Sequence, residues 1–179
     1  GYLHIGMDHF VLPTDELAIA QREGRLQRNF QGYSLRMADD LLGLGASAIS
    51  QMGDYHVQNE RDLDRYYDRL QQRQLPIEKG FISGHDDRLR KYIIMSLISD
   101  MSLDMNECNE RFGIDFKVDF QRELQLLQPM ELDGLLSIDN HRIQVTDRGR
   151  PFLRNICMPF DAYLTPGATA STGAYSATI

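Results

Sequence analysis

The sequence predicts a mixed fold, α/β at first and mainly α afterwards. Two observations lead there. Up to about Leu75, short apolar runs alternate with stretches of helical spacing, whereas beyond it helical spacing dominates until two short alternating segments near the end. Strand, helix, strand, helix is the order of a parallel α/β layer, but two strands are too few to close one, so the first part is expected to belong to a domain whose larger share lies elsewhere.

Tyr2 to Leu12 has the apolar content of a buried strand and stops at Pro13. Thr14 is placed to cap a helix, with Asp15 and Glu16 in the first turn where the helix dipole favours acids, and the apolar spacing carries that helix to about Phe30. A loop through Asp39 and Asp40 leads into Leu41 to Ser50, an apolar run of strand length. Glu60 to Gln74 then brings Leu63, Tyr66, Tyr67 and Leu70 onto one helical face.

The later part reads as helices closed by a hairpin. Asp86 to Met101 carries a broad stripe of Leu89, Ile93, Ile94, Leu97, Ile98 and Met101, the mark of a core helix. A short helix near Asp104 to Phe112 and another from about Val118 to Gln128 follow, the second ended by Pro129. Leu135 to Asp139 and Arg142 to Thr146 alternate about an Asp139-Asn140 turn, and Thr146 is placed to cap a last helix bearing Phe152, Leu153, Ile156 and Phe160. Three helices and a hairpin make a winged-helix-like order. The Gly, Ala, Ser and Thr content from Thr165 to Thr178 has no periodicity and predicts a loose tail. The organisation expected is therefore 1–75, 76–164 and a tail over 165–179.

Composition excludes several functions. The chain has 179 residues, 42% of them hydrophobic, enough to bury a core. No run approaches the roughly 18 apolar residues of a membrane helix, and GYLHIGMDHF is neither a basic leader nor a cleavage site, so a soluble, cytoplasmic protein without a membrane partner is expected. Cys108 and Cys157 form no CxxC and suit a reducing compartment as ordinary half-buried thiols. The five histidines make no HxH or HExxH spacing, so no metal site is read. The net charge of −7 repels polyanions. Arg142, Arg148, Arg150 and Arg154 lie around the wing, but Asp104, Glu107, Glu110, Asp115, Asp119 and Glu123 occupy the helices that a nucleic-acid reader would make basic. Nucleic acid is therefore not the expected partner, and the helical part reads as a covering scaffold.

Three segments stand out chemically. In RNFQGY, Gln31 offers both a donor and an acceptor without a competing proton, which suits orienting a carboxylate; the alternative is a helix-end cap beside Gly32. In DLLGLGASAIS, Gly43 and Gly45 let the backbone approach a flat ligand with Ile49 as an apolar contact, or else simply allow close packing; GxG without a third glycine is weak as a dinucleotide signal. Asp8 and His9 follow the first predicted strand, where barrels collect chemistry, and would hold polar groups of a ligand, or one another. Tyr55, His56, Tyr66 and Tyr67 read as packing.

IGMDHFVLPTDELAIAQREGRLQRNFQGY (Ile5 to Tyr33), DLLGLGASAIS (Asp40 to Ser50) and RNICMPFDAYL (Arg154 to Leu164) resemble the C-terminal part of the HemN family, the oxygen-independent coproporphyrinogen III oxidases, and the likeness runs from Gly1 to about Leu164. The resemblance implies a radical S-adenosylmethionine enzyme of haem synthesis that oxidatively decarboxylates two propionates of coproporphyrinogen III to vinyl groups. It implies a partial α/β barrel whose last strands are present here, and a helical covering domain. It places the residue matching Gln31 at the active site and that matching Ile49 against S-adenosylmethionine. The family holds a 4Fe-4S cluster through CxxxCxxC, a motif missing from these residues, so the chain is expected to be a C-terminal fragment, inactive without the N-terminal barrel. GMDHF and NFQGY side with HemN rather than with the related haem-binding HemW proteins. HemW-like haem binding and a winged-helix nucleic-acid domain are the alternatives.

Overall fold

The computed structural model describes residues 1–29, 32–35 and 40–164. The chain divides into two compact units, Gly1–Asp100 and Met101–Ile179. Strands and helices mix in both, and every strand pairing among the described residues is antiparallel.

That pairing overturns the expected parallel layer. The run Tyr2 to Leu12 is a hairpin rather than one strand: β1 (Leu3–Gly6) folds back on β2 (His9–Val11), with Leu3 opposite Val11 and His4 opposite Phe10. Met7 makes the reversal at φ +48°, an uncommon conformation for a side chain of its size.

Helix α1 (Glu16–Arg22) is shorter than its apolar spacing suggests. Asp15, not Thr14, caps it, its carboxylate accepting from the Leu17 N–H at 2.9 Å. Gly24 at φ +65° ends it, and the Arg25 N–H returns to the Ala20 carbonyl at 2.8 Å, a glycine stop that cancels the continuing pattern. The residues expected in the rest of that helix form β3 (Leu26–Asn29), paired with β4 (Gly32–Leu35) in the register Leu26↔Leu35, Arg28↔Tyr33 and Asn29↔Gly32. Ala18 and Ala20 are the buried face of α1, small enough to let it lie close to the first two hairpins, and Gln21 Nε2 donates to the Ile5 carbonyl at 2.7 Å.

Leu41 to Ser50 is likewise not a strand. Leu41 makes a single bridge to Gln51, the following residues turn, and the strand proper is β5 (Ile49–Met52). It opens a meander with β6 (Tyr55–Asn59) and β7 (Ile77–Ile82) in the order β5-β6-β7. Between β6 and β7 stands α2 (Leu63–Gln71), capped by Asp62 and without a buried residue. Glu60 is buried and is paired by Arg69 Nε at 3.0 Å. Helix α3 (His85–Asp100) closes the unit, burying Leu89, Ile93, Leu97 and Ile98 as the stripe predicts and packing on β3.

In the second unit β8 (Ser102–Asp104) precedes α4 (Met105–Phe112), whose N-terminal N–H groups at Asn106 and Glu107 are held by Asp104 Oδ1. Helix α5 (Phe116–Asp119) follows, and α6 (Gln121–Leu132) runs through Pro129 instead of stopping there. Proline removes one N–H but leaves its carbonyl, which still accepts from the Asp133 N–H at 3.0 Å. The hairpin forms as expected from β9 (Leu136–Ile138) and β10 (Arg142–Val145), with Asp139 Oδ1 accepting from the His141 and Arg142 N–H groups at 2.7 and 2.8 Å. Strand β8 completes the sheet in the order β8-β10-β9. Thr146 starts the last helical segment, its Oγ1 accepting from the Gly149 N–H at 3.1 Å. That segment is broken into a 3-10 turn (Arg150–Phe152), α7 (Leu153–Cys157) and a second 3-10 turn (Met158–Phe160). Phe116, Phe120 and Phe160 meet in the core with ring centroids 4.8 to 6.2 Å apart.

Candidate functional site

Asp8 and His9 stand at the return of the first hairpin. Nδ1 of His9 is 2.9 Å from Asp8 Oδ1. A carboxylate only accepts, so Nδ1 carries the proton and Nε2 is left to face outward from that bond. Asp8 is exposed, and its carboxyl is held below the usual carboxylate range by its own backbone hydrogen bond first and by His9 second, with a smaller contribution from the charge of Arg28. The His9 ring meets the edge of Tyr33 at 5.0 Å. On the other hand, the room beside His9 depends on Gly32: a Cβ there would stand 3.0 Å from Nε2.

Tyr33 is the keystone of this group. It is buried, and its hydroxyl donates to the Ile98 carbonyl of α3 at 3.2 Å. Arg28, its cross-strand partner, lays its guanidinium over the ring with Cζ 5.5 Å from the centroid. The sequence reading missed Arg28 because a residue on a helix after Glu23 would not face Tyr33; only the β3–β4 register brings them together. Gln31 and Phe30 lie outside the described residues.

Gly43, Gly45 and Ile49 form a second locus in the same unit. Leu41, Leu42, Gly43, Leu44, Ser47, Ala48 and Ile49 line an open groove of about 390 Å³. A Cβ at Gly43 would fall 2.5 Å from the Ile49 carbonyl oxygen, so this glycine lets the loop close on its own strand. Gly45 sits at φ +103°, where a side chain would be strained. The loop is pinned from behind: the Gly43 N–H donates to Ser50 Oγ at 3.0 Å and Asn59 Nδ2 to the Gly45 carbonyl at 2.9 Å. Leu42 and Leu44 are left exposed on the groove, an apolar rim around a rigid backbone.

A depression of about 450 Å³ lies at the β9–β10 turn, lined by Asp104, Asp139, Asn140, His141 and Arg142. Its polar groups already serve one another: Asn106 Nδ2 pairs with His141 Nδ1 at 3.0 Å and Asp139 closes the turn. Among the described residues no group of three or more His, Cys, Asp or Glu is placed to hold a metal ion. The two cysteines do not fit an iron-sulfur cluster. Both are buried free thiols, and burial pushes Cys108 up to about 11 and Cys157 up to about 12, the opposite of what thiolate ligation needs. No described helix is long and apolar enough to cross a membrane.

Residues 84–152 match the family model of the HemN C-terminal domain. The wider likeness is to the oxygen-independent coproporphyrinogen III oxidases. The chain is 49% identical over 164 residues to that of Salmonella typhimurium, covering 92% of this chain and 36% of the relative, and 47% identical over 164 residues to that of Pseudomonas aeruginosa. A solved structure titled as coproporphyrinogen III oxidase (HemN) from Escherichia coli, a radical SAM enzyme, superposes with a TM-score of 0.87 at 47% identity, over 92% of this chain and 38% of that one. The chain spans little more than a third of the length of these proteins.

Proposed function

We propose that the chain is the C-terminal part of an oxygen-independent coproporphyrinogen III oxidase, active in the oxidative decarboxylation of coproporphyrinogen III to protoporphyrinogen IX once joined to an N-terminal barrel. The observation that carries this reading is the 49% identity maintained over 92% of the chain with a protein of that name. In this reading the first unit completes the open side of a partial α/β barrel through its hairpins, and the segment 76–164 is the covering domain, its α4 to α6 helices and β8-β10-β9 sheet forming a winged-helix-like scaffold. Nucleic acid and membrane have no part in it.

The 4Fe-4S cluster would be held by the N-terminal barrel, since the two buried cysteines here do not fit it. S-adenosylmethionine, when bound there, supplies the radical chemistry. The chain's own contribution is contact and orientation. Ile49 and the backbone at Gly43 and Gly45 offer a fixed apolar wall to the cofactor, with no freedom to collapse because Ser50 and Asn59 hold the loop. Gln31 would orient a propionate through its amide, and Asp8 and His9 would also take part, His9 Nε2 being the atom free of the Asp8 bond.

The test is made on the full-length protein carrying this segment. Reconstituted without oxygen, it should convert coproporphyrinogen III in the presence of S-adenosylmethionine, while the chain alone should not. Gln31→Ala should lower turnover about ten- to hundredfold, the equivalent of one hydrogen bond left unpaired in a buried site, with cluster content and melting temperature unchanged. Gln27→Ala is the control: Gln27 sits on β3 and donates to the Leu35 carbonyl at 3.2 Å, so its loss should affect stability alone. Absence of conversion by the full-length protein would sink the reading.

A further inference from the structure

Arg28 is a cation without a counterpart. Its Nε is buried and has no hydrogen-bond partner, the one such side-chain atom among the described residues, and Arg28 forms no ion pair there. A buried guanidinium N–H that gives up water without gaining an acceptor is costly, and such a group calls for an explanation. Asp8 feels its charge but makes no ion pair with it among the described residues, and Asp8 Oδ1 instead stands 2.9 Å from His9 Nδ1. The cation is nonetheless held in place. Its cross-strand partner Tyr33 supports the guanidinium plane, and the Tyr33 hydroxyl is fixed to the Ile98 carbonyl at 3.2 Å.

We propose that Arg28 receives a carboxylate from a bound ligand, with its guanidinium held over the Tyr33 ring and with His9 in a T-shaped contact with that ring at 5.0 Å. A planar fork of N–H donors matches a carboxylate better than any other common anion but phosphate, and stacking on an aromatic ring leaves the edge of the fork free to donate. His9 Nε2, the ring nitrogen outside the Asp8 bond, is a second polar atom in the same group of residues. The inference rests on the function proposed above, in which two ligands carry the required group: the propionates of coproporphyrinogen III and the amino-acid carboxylate of S-adenosylmethionine.

The experiment uses the full-length protein and reads binding rather than turnover. Coproporphyrin III, the stable fluorescent form of the substrate, is titrated into the parent, Arg28→Gln and Arg28→Lys, and labelled S-adenosylmethionine is measured by equilibrium dialysis on the same proteins. Loss of a charge-assisted pair should weaken one of the two ligands about ten- to hundredfold in Arg28→Gln, and by less in Arg28→Lys, which keeps the charge without the fork. If coproporphyrin III is the ligand affected, its tetramethyl ester should bind parent and variant alike. If only S-adenosylmethionine is affected, the carboxylate is the cofactor's. Should Arg28→Gln fail to fold, Arg28→Lys decides. Unchanged affinity for both ligands in a folded variant overturns the proposal and assigns Arg28 to a partner within the protein. A parent protein that binds neither ligand overturns the proposed function instead.

Discussion

Gly149→Ala should unfold the second unit at a markedly lower urea concentration, for a reason unrelated to glycine's flexibility. Gly149 lies at φ −79° and ψ −20°, a conformation open to alanine, and the substitution would ordinarily stabilise by about 0.4 to 1 kcal/mol through the unfolded chain. Here the added Cβ would stand 1.8 Å from the Leu135 carbonyl oxygen. Relief to an ordinary contact requires a shift of more than about 1 Å. The Leu135 oxygen accepts from both the Thr146 N–H and Thr146 Oγ1 at 3.0 Å, and a shift of that size breaks or strains both bonds. Two weakened hydrogen bonds at about 1 kcal/mol each, with about 1 to 3 kcal/mol of overpacking, outweigh the entropic gain and leave a net loss of roughly 2 to 4 kcal/mol. That is a large share of the roughly 5 to 15 kcal/mol typical of a domain. Urea titration followed by far-ultraviolet circular dichroism measures it. Thr146→Ala removes one of the affected bonds in advance, so the double variant should cost less than the two singles together. A Gly149→Ala midpoint within about 0.5 kcal/mol of the parent would refute the steric argument.

Two further outcomes follow from the titrating groups. The Asp139 carboxyl is lowered first by the His141 N–H and then by the Arg142 N–H, so its contribution to the hairpin is present above the unfolded carboxyl range and is lost as pH falls through the depressed folded value; Asp139→Asn should flatten the acid limb of a stability–pH curve and leave the neutral region's slope unaltered. Cys108 and Cys157, with thiol values raised to about 11 and about 12 by burial, should react slowly with a disulfide reagent at pH 8 in the native protein and rapidly in denaturant, and fast native labelling of either would contradict their burial.

The helical elements were legible because they are long enough for periodicity to speak. Leu89, Ile93, Leu97 and Ile98 recur along one face of α3, and no strand arrangement satisfies that spacing. The β9–β10 hairpin was legible because Asp139 both breaks the alternation and supplies the acceptor that closes the turn. The first fifty residues were misread for the converse reason. A largely apolar run such as Tyr2 to Leu12 does not distinguish one strand from a hairpin turned by Met7, whose side chain gives no turn signal. Gly24 did announce the end of α1, but Leu26 and Phe30 continue the helical spacing beyond it, and the pattern outvoted the punctuation. That error hid part of the site. Asp8 and His9 are neighbours in sequence and were visible as a pair, whereas Arg28 and Tyr33 meet only through strand register.

The hairpins of the first unit also set the order in which the chain gains structure. Each pairing there joins strands adjacent along the chain: β3 meets β4 across Asn29↔Gly32, and β5 meets β6 across Met52↔Tyr55. Closing such loops costs little entropy and takes on the order of microseconds. In the second unit β8 must wait for β10, because its pairing, Asp104 with Arg142, spans the whole of α4, α5, α6 and β9 in sequence. During synthesis the first unit can therefore consolidate while the tunnel still holds the strand that β8 requires. The step that limits folding of the whole is predicted to be the late, non-local addition of β8 to the β9–β10 pair.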